Sequence, residues 1–66
     1  MTSTHYLDRA LRCVGAARID NGDKIFWIVA DSELRKAIGA FNRERNRKGA
    51  GLALLALAKV RAQIAA

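Results

Sequence analysis

A single cysteine, Cys13, and a single histidine, His5, leave this 66-residue chain without the cross-links that usually hold so short a domain together. One cysteine cannot close an internal disulfide, and a structural zinc site draws on four Cys or His ligands. A domain near 60 residues buries only about 60% of the surface its unfolded chain exposes, and its core rarely contributes more than ~3–5 kcal/mol. Association with another chain is the route left. Residues 1–66 are therefore expected to form one small dimerising domain, with no metal and no cofactor.

Apolar residues make up 52% of the sequence, too many for a disordered segment, and no proline interrupts it. The longest apolar stretch, Ala50 to Ala58, is too short to span a bilayer. No basic segment followed by an apolar one opens the chain, so no secretory signal is expected. The lone thiol agrees with a cytoplasmic location. The net charge of +6 is unevenly placed. Residues 1–33 carry Arg9, Arg12, Arg18 and Lys24 against five acids, whereas residues 34–66 carry eight Lys/Arg against Glu44 alone. Such asymmetry points to an acidic partner, either protein or nucleic acid.

Helical spacing of Leu7, Ala10, Leu11 and Val14 predicts a helix over 4–15, capped by Ser3 or Thr4 and stopped by Gly15. Asn21-Gly22 is the preferred pair for a type I′ turn, which predicts a β-hairpin over 16–30. In that hairpin Ile25, Trp27 and Val29 face one way and Phe26, Ile28 and Ala30 the other. Both faces are apolar, so both need cover, and a second copy is the simplest source of it. Leu34, Ala37, Ile38 and Phe41 predict a second helix over 32–48, followed by a turn at Gly49-Ala50-Gly51. A third helix over 52–65 carries Leu52, Leu54, Leu55 and Leu57 around almost its whole circumference. The expected fold is α+β: an N-terminal helix, a hairpin and two C-terminal helices in an intertwined homodimer. Phe26, Trp27, Ile28, Leu52, Leu54, Leu55 and Leu57 are the expected dimer interface.

Nothing in the sequence suggests catalysis. It has no second histidine, no Gly-rich phosphate loop and no Ser/His/Asp set. Cys13 sits beside an apolar stripe, as a small packed hydrophobe does. Phe26 and Trp27 lack the interleaved cations of a base-stacking platform, and the Leu/Ala helix lacks the opposed cationic face of a membrane-surface helix. The sharpest polar feature is Arg43, Arg45, Arg47 and Lys48. A helix end that complements its own dipole, with Glu44 paired to Lys48, explains one or two of these cations but not four in six residues. An anion-facing patch is the alternative. Arg35, Phe41, Asn42, Arg43, Arg45 and Arg47 are the expected partner contacts, with Phe41 and an arginine as hot-spot types.

Two resemblances bear on function. From Lys24 onward the expected order of strand, helix, short Gly loop and helix resembles the ribbon-helix-helix repressors. That likeness implies a dimer whose ribbon reads base edges. Only Lys24 is polar among Lys24, Phe26 and Ile28 or Ile25, Trp27 and Val29. Nucleic-acid contacts would then fall to phosphates, through Arg43, Arg45, Arg47, Lys48 and the amides of Gly49 to Gly51. The Met1-Thr2-Ser3-Thr4-His5-Tyr6 opening, the expected layout of helices around an apolar strand and the need for a dimer together resemble small early proteins of temperate, transposable phages, of the quorum-sensing anti-activator type. That resemblance implies a non-enzymatic homodimer that grips and blocks a host transcription activator. The DNA-binding regulator is the alternative.

Overall fold

A computed structural model describes residues 3–19 and 24–66. Helices account for nearly all of them: α1 (Ser3–Ile19), α2 (Ile25–Arg43) and α3 (Arg47–Ala65). The fold is all-α, and no strand occurs among the described residues. This overturns the α+β expectation and the intertwining ribbon that went with it. Asn21-Gly22 lies outside the described residues, but both flanks of the expected hairpin are helical. Ala16 to Ile19 continue α1 past Gly15, and Ile25 to Ala30 open α2.

The physical reason lies in a register that the hairpin reading cut in two. Trp27, Ala30, Leu34, Ala37 and Phe41 recur at alternating spacings of three and four, which places them on one face of a continuous helix. All are buried or half-buried. The β-branched and aromatic content of Ile25 to Val29 favours a strand only weakly, and packing along this stripe outweighs it. Ala50, Ala53, Leu57, Val60 and Ile64 make the same three–four pattern on α3, and Ala10, Val14 and Ala17 make it on α1.

The α2–α3 turn comes five residues earlier than expected. α2 stops at Arg43, with Glu44 as C-cap. The Arg45 amide donates to Asn42 O at 3.1 Å and the Asn46 amide to Phe41 O at 2.8 Å. These two bonds are the Schellman pattern, which needs a left-handed residue between them. Arg45 fills that place with φ 58°. Asn46 then caps α3, its side chain accepting from the Gly49 amide at 2.9 Å. Gly49-Ala50-Gly51 therefore lies inside the first turns of α3 and is not a hinge.

The core is narrow because it is largely alanine. Ala10, Ala17, Ala30, Ala37, Ala40, Ala50 and Ala53 are all buried, and Leu34 is the one large side chain buried to below 2% exposure. Small residues let helix axes approach closely, and Gly49 shows how closely. A Cβ built there would lie 2.5 Å from Phe41 Cδ1 and Cε1. Polar ties join the elements at their ends. The Ser3 amide and hydroxyl donate to Glu44 Oε2 and Oε1 at 3.2 and 2.9 Å, while Asp31 accepts from Arg35 at 2.9 Å and from Arg61 at 3.0 Å. No helix among the described residues is long and apolar enough to cross a membrane.

Candidate protein-binding site

Three surface features remain after the core is assembled. The first is the α2–α3 turn. Arg43, Arg45, Arg47 and Lys48 are all exposed, and none forms an ion pair among the described residues. Glu44, the one carboxylate in this turn, hydrogen-bonds the first described residue of α1, so the turn carries four cations to one anion and none of the four forms an ion pair among the described residues. Arg45 holds its charge there in a backbone region that costs a side-chain-bearing residue about 1–2 kcal/mol. Asn42 is exposed beside this turn, and Arg35 is engaged with Asp31. Phe41 is not part of the surface: it is 7% exposed and seated against Gly49.

The second feature is a set of outward aliphatics. Leu11, Ile19, Ile25, Ile28, Leu52, Leu54 and Leu55 are each more than half exposed. Ile28, Leu52, Leu54 and Leu55 belong to the interface expected from sequence. Of the other residues expected there, Leu57 is 6% exposed within the core, and Phe26 and Trp27 are half-buried. The sequence reading placed Ile25 and Val29 on an apolar face in need of cover but left them off the interface set, and it missed Leu11 and Ile19. A helical wheel for α2 puts Ile25 and Val29 beside Ile28 on one face, opposite Ala30, Leu34 and Ala37.

The third feature is a half-open groove of about 770 Å³ between α1 and α3. Trp27 lies at its base, Leu11 and Val14 line one wall, and Ala56 and Val60 line the other. Arg18 and Lys59 stand on opposite rims, exposed and outside any ion pair among the described residues. Lys24 is the third cation of the lining, but its ammonium donates to the main-chain oxygens of Ile64 and Ala66 at 3.1 and 3.3 Å. No carboxylate side chain lines the groove among the described residues.

No group of His, Cys, Asp or Glu suited to a metal occurs among the described residues. Cys13 is half-buried in the helix packing. Glu33 is the one buried carboxylate among the described residues, 4% exposed, with Oε1 at 3.5 Å from Lys36 and 3.7 Å from Arg9. Its Oε2 has no hydrogen-bond partner among the described residues. It ties α1 to α2 rather than facing the groove. No protein-family model, curated protein or solved structure matches the chain.

Proposed function

We propose that this chain is a non-enzymatic, homodimeric protein-binding module that captures a regulatory protein and blocks it. This is the role implied by the likeness to phage anti-activators. A transcription activator of the quorum-sensing class is the target that likeness names. One observation carries the reading: the buried core is mostly alanine, while many of the large aliphatics stand outside it. Single exposed leucines are ordinary, but seven such side chains more than half exposed on a 66-residue protein are an excess that needs protein cover. The exposed cations of the α2–α3 turn, four against Glu44 alone, add a charged contact for an acidic patch on the target.

Two measurements test this reading. A tagged chain is first used to draw its target from bacterial lysate in the presence of nuclease. The purified target is then tested for release from its operator duplex. Capture followed by release supports the proposal. Capture should be lost in Arg43→Glu/Arg47→Glu with the dimer intact. Failure to capture any protein, or capture indifferent to that double change, overturns it.

The exposed cations and the left-handed Arg45 favour one second reading, contact with nucleic-acid phosphates. That reading requires affinity for random duplex DNA that falls steeply as salt rises. No mobility shift at low salt ends it.

A further inference from the structure

α1 and α3 each pack along α2 and barely touch one another. The C-terminal halves of α1 and α3 line the same groove as Trp27, which lies in the first turn of α2. The three helices therefore run up, down and up. In an up-and-down four-helix bundle, diagonal helices run parallel and hardly meet, while neighbours run antiparallel and share a seam. Here α1 and α3 stand as the diagonal pair and α2 as their common neighbour. Helices at three corners of a square of ~9.5 Å side occupy a section of about 18 × 11 Å at the Cα level. The protein measures 20 × 13 Å across its long axis. The alternating three–four spacing on all three helices is the spacing of that packing. The groove lies at the fourth corner.

We infer that this groove is the seat of an acidic amphipathic helix from the target protein, which completes a four-helix bundle. The inference rests on the protein-binding reading above and names its chemistry. The walls have helical spacing on both sides: Leu11, Val14 and Arg18 on α1, and Ala56, Lys59 and Gln63 on α3. A helix about 10 Å across and three turns long occupies roughly 1,250 Å³, so a half-open groove of 770 Å³ takes in rather more than half of it. Helix dipoles set the polarity. The incoming helix runs antiparallel to α1 and α3, which brings its amide end to their carbonyl ends.

Charge selects the occupant. Arg18 and Lys59 flank the apolar floor from opposite rims, so glutamates or aspartates beside the apolar stripe of the incoming helix meet both. A second copy of this chain is a poor fit. α3 contains no acidic residue, α1 contains only Asp8, and the carboxylates of α2 are held by Arg9, Arg35, Lys36 and Arg61. Each of its helices would bring further cations to a cationic rim.

Trp27 is the only tryptophan and lies in the groove, so its emission reports occupancy. The probe is a ~14-residue peptide with leucines at helical three–four spacing and glutamates on the flanks. A lysine-flanked peptide with the same leucines is its counterpart. The expected result is a saturable Trp27 shift with the acidic peptide and binding at least about tenfold weaker with the basic one. Leu11→Glu and Arg18→Glu/Lys59→Glu alter exposed side chains and leave the fold alone. Each should weaken the acidic peptide by about tenfold or more. Arg45→Glu/Arg47→Glu, at the opposite end of the molecule, should leave it unchanged while target capture falls. Equal binding by both peptides or by the groove variants overturns the inference, as does no shift with either peptide. A Trp27 shift on concentrating the chain alone assigns the groove to a second copy and overturns it. A shift with anionic phospholipid vesicles but not with peptide assigns it to lipid and also overturns it. A groove that fails these tests in a chain that still captures its target leaves the broader reading standing.

Discussion

Gly49→Ala sets two opposite forces against each other at one helical position. Helix propensity alone favours alanine over glycine by about 0.8–1 kcal/mol. Packing opposes it, because the new methyl would stand 2.5 Å from two ring carbons of Phe41 and 3.1 Å from Asn46 Cγ. Unstrained carbon contacts are ~3.5–4.0 Å, so the ring must retreat by about 1 Å. Phe41 is buried in one core cluster with Leu34, Ala37 and Ala50, so its ring cannot swing out freely. Overpacking of this kind costs about 1–3 kcal/mol, and disturbing the Asn46 cap adds up to about 1 kcal/mol. The net expectation is a loss of about 2 kcal/mol, a large share of what a domain this size holds. At 60–100 residues that lowers Tm by about 10 °C. Urea and thermal melts followed by far-UV circular dichroism at one chain concentration measure it. Gly15→Ala is the control: a Cβ there meets nothing within 4 Å, so it should gain about 0.5–1 kcal/mol. If Gly49→Ala also gained stability, the close α2–α3 approach described here would be wrong.

Three further outcomes follow from the same geometry. Arg45→Gly relieves a left-handed side-chain-bearing residue and should raise stability by about 1 kcal/mol in a urea melt, while weakening target capture; a loss of stability would contradict the Schellman turn. Leu34→Ala empties the one large, fully buried site and should cost about 2–5 kcal/mol, enough to leave the chain largely unfolded in a thermal melt. Asp31→Ala removes the acceptor shared by Arg35 and Arg61 and should cost about 1 kcal/mol in dilute buffer and less in high salt; equal loss in both would point to packing instead of charge.

Much of the helix content was legible in the sequence, and its continuity was not. Leu34, Ala37 and Phe41 announced α2, but the run back through Ala30 to Trp27 was masked by the β-branched residues between them. Five consecutive apolar residues satisfy a two-sided strand and a helix start equally well, so Asn21-Gly22 tipped the reading the wrong way. The same happened at Gly49 and Gly51. Glycine pairs suggest turns, yet here glycine lets the Phe41 ring lie on the α3 backbone. Asn46 was the available signal, a good N-cap residue three positions before the Gly49 amide it binds. Of the candidate site, the cations at 43–48 could be read directly because exposed charge needs no tertiary knowledge. The groove could not be read, because it exists only once α1 and α3 stand on either side of α2.

The claim on which the functional proposal stands is that protein covers the outward aliphatics. Sedimentation equilibrium from about 1 to about 50 µM chain in physiological salt tests it most directly. The prediction is a mass twice the 7.2 kDa of one chain across the upper part of that range. Ile28→Glu and Leu55→Glu should each shift it toward one chain, with helicity retained. A uniform 7.2 kDa species at every concentration, fully helical and soluble, would contradict it.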